Sequence, residues 1–111
     1  MKENERMAFA DNLKKLPGIS HLAALQLLDA EGREVGRIEN KPGSAGSVAV
    51  YNHLAQTYGA ITQEAARKGL EIYAEHTEDA RLHPGKHPNI DRLLQIEAGA
   101  PALRIKHVFA V

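Results

Sequence analysis

The sequence predicts an α+β fold, a small two-layer domain in which helices pack on one face of an about three-stranded sheet (a hairpin plus a C-terminal strand). The element order is α-β-β-α-α-α-β. Three observations carry this reading. Leu103-Arg104-Ile105-Lys106-His107-Val108-Phe109 alternates between apolar and polar residues, the period of a strand with one wet face. Asp29-Ala30-Glu31-Gly32 has turn chemistry between two extended candidates. From residue 45 to residue 97 the apolar side chains recur every three or four positions instead, as they do on helices. Strands at both ends with helices between them form one small sheet covered on one side.

Each element has its own local reason. Phe9, Leu13 and Leu16 stand at i, i+4 and i+7, which predicts a helix over residues 4–16 that Pro17-Gly18 stops. The stretch 22–28 favours helix by composition, but the following turn and the alternating Glu34-Val35-Gly36-Arg37-Ile38 make it the first strand of a hairpin. Ser44 is placed to cap a helix over 45–58, with Ser47, Val50, Tyr51, Leu54 and Tyr58 on its inner face and Gly59 at its end. Thr62 caps the next helix, which the pattern extends to Leu82 as the longest element. His83-Pro84-Gly85 breaks it, and His87-Pro88 opens a helix over 88–97.

Composition narrows the function classes. The 111 residues suit one domain spanning the chain, 1–111. Lys and Arg total 14 and so do Asp and Glu, so there is no basic excess of the kind phosphate-backbone binding requires. Trp is absent and aromatics are 5%, which speaks against a base-stacking surface; no nucleic-acid partner is expected. Zero cysteines exclude disulfides, thiolate catalysis and Cys-ligated zinc. No apolar leader or membrane-length apolar window occurs, so the expectation is a cytoplasmic protein without a membrane partner.

The chemistry-bearing segment is Tyr73 to Asp91. His76, Asp79 and His83 form one stripe at i, i+3 and i+7, and His87 follows across the Pro84-Gly85 turn. Two or three imidazoles with a carboxylate make a competent ligand set for a divalent metal such as Zn²⁺, with Asp79, His83 and His87 as the ligands. Such a site needs the His87 ring within ~6 Å of the Asp79 or His83 side chain, because ligand atoms lie ~2.0–2.2 Å from the ion. Glu75, His76 and Lys86 are candidate contacts to a small ligand, with Lys86 attracting an anionic group. The alternative is structural: a histidine before a proline at a helix end often serves only the local dipole and cap.

A second candidate is Lys41-Pro42-Gly43-Ser44-Ala45-Gly46-Ser47, where Ser44, Gly46 and Ser47 would offer donors to a small anion at a helix start. It lacks the GK[ST] ending of a phosphate-binding loop, and its serines could simply cap the helix. Ser44 or Ser47 as a hydrolytic nucleophile lacks the G-x-S-x-G elbow. Tyr51, Tyr58 and Tyr73 read as packing residues whose hydroxyls reach a partner. His21, His53 and His107 are isolated in sequence and carry no assignment.

The runs Leu13-Lys14-Lys15-Leu16-Pro17, Gly46-Ser47-Val48-Ala49-Val50-Tyr51, Gly69 to Thr77 and His83 to Leu93 resemble a bacterial family catalogued as domain of unknown function 2322. The resemblance covers nearly the whole chain, with AEHTEDAR and HPGKHPNIDRL as its specific stretches. It implies a short, single-domain bacterial protein and supplies no activity.

Two functional expectations follow. One is a ligand- or metal-binding domain with a His/carboxylate site on the long helix and its following turn. The other is a non-catalytic interaction module, homodimeric through an edge strand, whose histidines are structural.

Overall fold

The computed structural model describes residues 8–111. Its elements are α1 (Ala8–Leu13), β1 (Leu22–Leu28), β2 (Glu34–Glu39), α2 (Ala45–Tyr58), α3 (Gln63–Tyr73), α4 (Glu75–Leu82), α5 (Pro88–Glu97) and β3 (Arg104–Phe109). The strands form one antiparallel sheet in the order β2-β1-β3, so the C-terminal strand joins the free side of the hairpin. The α+β class and its hairpin are therefore as the sequence reads.

Pairing register sorts the side chains. Leu25 faces Ile38 on one neighbour and His107 on the other, and Leu27 faces Ile105, so these residues share one face. Gln26, Arg37 and Lys106 lie in register on the opposite, polar face. Helix α2 packs on the apolar face and touches all three strands, while α3 packs against both α2 and α5. Leu25, Leu27, Ile38, Val48, Val50, Tyr51, Leu54 and Leu93 are completely or almost completely buried in one core. A polar pair crosses that layer: the His107 Nε2 lies 2.7 Å from the Oδ1 of fully buried Asn52.

Two helices depart from expectation. Residues 4–7 of the first predicted helix lie outside the described residues, and α1 ends at Leu13. Lys15 and Leu16 then donate three residues back, to the carbonyls of Asn12 and Leu13, so the chain closes in tight turns before Pro17.

The helix expected from Thr62 to Leu82 is two helices. Its start is as read, since Thr62 Oγ1 accepts the N–H of Ala65 at 3.1 Å. At Ala74 the backbone turns to φ 51°, ψ −116°, and α4 sets off in a new direction. Thr77 helps to hold the break: its hydroxyl donates to the Leu70 carbonyl at 2.6 Å and its N–H donates to Ala74 O at 3.0 Å. The single helical pattern read from Thr62 to Leu82 therefore does not run across residue 74.

Ala74 is the non-glycine residue with positive φ among those described. Such a conformation costs on the order of 1–3 kcal/mol for an alanine and little for glycine. Ala74→Gly should stabilise the protein by about 1 kcal/mol, raising Tm by roughly 4–8 °C. A thermal melt with a lowered Tm would show that the turn at 74 is not strained.

Candidate functional site

The two segments singled out in the sequence, Lys41–Ser47 and Tyr73–Asp91, meet at one cleft of about 430 Å³. Gly43, Ala45, Gly46 and Ser47 line it from the start of α2, and Lys86, His87, Pro88, Asn89 and Ile90 line it from the turn into α5. Tyr73 and His76 line it from either side of the helix break, and Phe9 and Leu13 from α1 complete it. Its volume lies within the ~300–1,000 Å³ of ordinary ligand sites.

The apolar wall depends on a glycine. A Cβ at Gly46 would stand 3.3 Å from Phe9 Cζ and 3.4 Å from Leu13 Cδ1, so a larger residue would push α1 away. The Phe9 ring stacks on Tyr73 with centroids 5.1 Å apart and meets His76 edge-on at 5.0 Å. Asn12 Nδ2 donates to the Ile72 carbonyl at 2.9 Å, which holds α1 on the end of α3.

The polar wall is tied down from behind. His87 Nε2 is 2.6 Å from Asp79 Oδ2, and Lys86 Nζ is 3.0 Å from the same oxygen. Asp79 is 34% exposed and does not line the cleft; it orients two residues that do. Its hydrogen bonds to His87 and then Lys86 hold its carboxyl at about 2, below the ordinary 3.8. An ionised Asp79 only accepts, so the His87 proton sits on Nε2 and Nδ1 is the free ring nitrogen. His76 lies beside it, with ring centroids 5.8 Å apart.

The turn into α5 is anchored to the core. Gly85 N–H donates to Asp91 Oδ2 at 2.9 Å, and the N–H groups of Ile90 and Asp91 reach the His87 carbonyl. Fully buried Tyr51 donates its hydroxyl to the Asn89 carbonyl at 2.6 Å and accepts from Arg92 Nη1 at 3.2 Å. Burial pushes the Tyr51 hydroxyl up to about 12 despite the nearby Arg92, so it remains a donor. Tyr73, also raised by burial, donates to Ser47 Oγ at 2.6 Å.

Several candidate residues take other roles. Ser44 occupies the N-cap position, but its side chain makes no cap; the hydroxyl donates to the Glu39 carbonyl at 2.6 Å, tying α2 to β2, and it does not line the cleft. Glu75 also stands outside the cleft, where Oε1 accepts the Phe9 N–H at 2.9 Å and so fixes α1. Gly46, Ser47, His76, Lys86 and His87 do line it.

The expected Zn²⁺ set does not form. His87 meets the distance condition against Asp79, but it spends Nε2 on a direct hydrogen bond, and the Lys86 ammonium takes the place beside the carboxylate where a cation would sit. His83 Nε2 is 3.8 Å from the other Asp79 oxygen, on a side chain 60% exposed. Among the described residues no group of three or more histidines or carboxylates has the arrangement to hold a metal ion.

Asp79 gives a pH prediction. Its carboxyl is easier to ionise in the folded chain, so it favours folding above pH 4, and this share is lost as pH falls from about 4 to about 2. The stability gap between the parent and Asp79→Asn should therefore narrow across that window in urea unfolding. A gap of constant size down to pH 2 would mean that the carboxylate gains nothing from His87 and Lys86.

Sequence reasoning missed Phe9, Leu13 and Asn89 as cleft residues. Gly46 was the available signal, a glycine inside a helix start that marks the close approach of another element. No helix of the described residues is long and apolar enough to cross a membrane. No curated protein and no solved structure matches the chain. Residues 9–107 match the family described as an uncharacterized protein conserved in bacteria (DUF2322), and the chain belongs to that family.

Proposed function

We propose that the protein binds a small organic molecule in the cleft between the start of α2 and the α4–α5 turn. The observation that carries this reading is convergence. Two segments about forty residues apart, 43–47 and 86–90, bring polar side chains already oriented by Asp79 and Tyr73 to one cleft that Phe9, Leu13 and Ile90 line with apolar surface. A concave, partly apolar site with a few fixed polar groups is the usual form of a ligand pocket. Holding those groups before a ligand arrives lowers the ordering cost of binding.

Amide spectra of the full chain titrated with a small-fragment mixture test this reading. Shifts should cluster at 43–47, 76 and 86–90, and Ala45→Phe, which plugs the cleft from a half-buried position, should remove them. Shifts that persist in Ala45→Phe, or that fall elsewhere, count against it.

One observation favours the interaction-module reading as a second function. Strand β3 stands at the sheet edge, and its Phe109 is 65% exposed. An open edge of this kind pairs with a second copy by strand addition. Light scattering at high micromolar concentration should then report about twice 12.1 kDa, and a 12.1 kDa species would end that reading.

A further inference from the structure

We infer that the molecule this cleft takes is an organic oxyanion, a carboxylate or phosphate monoester carried on a small apolar body. The inference rests on the ligand-binding reading above and adds the chemical class. It comes from counting which hydrogen-bonding groups of the lining side chains are still free.

The oxygen acceptors are occupied, and among the ring nitrogens His87 Nδ1 stays open. The Asn89 carbonyl already accepts from Tyr51 at 2.6 Å, and Asn89 Oδ1 accepts from Arg92 Nη1 at 2.8 Å. The nearby carboxylates stand outside the lining and are engaged, Asp79 by His87 and Lys86, and Glu75 by the Phe9 N–H. Ser47 Oγ already accepts from Tyr73.

The donors are free. A hydroxyl has one proton to give, and Ser47 keeps its own because Tyr73 is the donor in their bond. Lys86 has three N–H bonds and directs one to Asp79. Lys86 brings an ammonium to the lining, while its carboxylate partner Asp79 stands behind it, outside the cleft. A site with surplus donors and an ammonium satisfies an oxyanion, leaves a neutral alcohol partly unsatisfied, and disfavours a second ammonium. The rest of the lining, Phe9, Leu13, Pro88 and Ile90, gives an apolar body somewhere to go.

Amide titrations of the full chain at pH 7 with five probes test the class. The probes are phenylacetate, phenyl phosphate, 2-phenylethanol, 2-phenylethylamine and inorganic phosphate. Phenylacetate or phenyl phosphate should shift residues 43–47 and 86–90 with at least tenfold tighter binding than the alcohol or the amine, and the tighter of the two anions names the head group. Lys86→Gln should weaken that anion at least fivefold and leave the alcohol unchanged. If the alcohol or amine binds as tightly at the same amides, the oxyanion class is wrong while the cleft remains a ligand site. Inorganic phosphate matching phenyl phosphate would overturn the apolar body. If no probe moves these amides while the chain stays folded, both readings fall.

Discussion

Gly69→Val should cost about 3 kcal/mol of stability, the largest effect expected from a single substitution here. Gly69 lies in α3 where it crosses α5 and α2. A Cβ there would stand 2.7 Å from Leu93 Cδ1 and 2.9 Å from Leu54 Cδ1. Both leucines are completely buried, so neither methyl has open space to move into. Gly69→Ala adds the same Cβ but regains about 1 kcal/mol of helix propensity, so it should cost clearly less. Urea unfolding of the two variants gives the comparison. A valine variant as stable as the parent would contradict the close crossing that sets α5, and with it the polar wall of the cleft.

Tyr51→Phe should cost about 2 kcal/mol, or roughly 10 °C in Tm. The change removes one atom and leaves the ring, so packing is kept. The Asn89 carbonyl loses its donor and Arg92 loses an acceptor within a partly buried network. Asn89 belongs to the cleft wall, so amide shifts should spread through residues 87–90 while β1 and β3 stay as they are. A melt within 2 °C of the parent would mean that the hydroxyl is not what anchors the turn.

The sheet was legible because its signals are local. Asp29 accepts the N–H groups of Glu31 and Arg33 at 2.9 Å, so the turn chemistry that marked the hairpin is the chemistry that closes it. The alternation in 103–109 became a strand with His107 inward and Lys106 outward. Gly59, expected to end α2, does so at φ 82° with its N–H on the Ala55 carbonyl.

The errors lie where distant residues overrule local preference. Alanine is the best helix former, so nothing at position 74 announces a break. The break is held by Thr77 on the Leu70 carbonyl, and Glu75 beyond it caps α1, a partner 66 residues away in sequence. Ser44 has the composition of a cap, but β2 offers its hydroxyl a carbonyl within reach. The histidine cluster was legible as a cluster and not as chemistry. Spacing brings His87 to Asp79, and only the structure shows Lys86 sharing the same oxygen.

The central claim is that α1, the start of α2 and the α4–α5 turn enclose one cleft. Nuclear Overhauser contacts of the Phe9 ring, recorded on the ligand-free chain, test it most directly. The account predicts contacts from that ring to the Gly46 α-protons and to the His76 ring, with a further contact between the His76 and His87 rings. A Phe9 ring whose contacts stop at its own neighbours in α1 would contradict it.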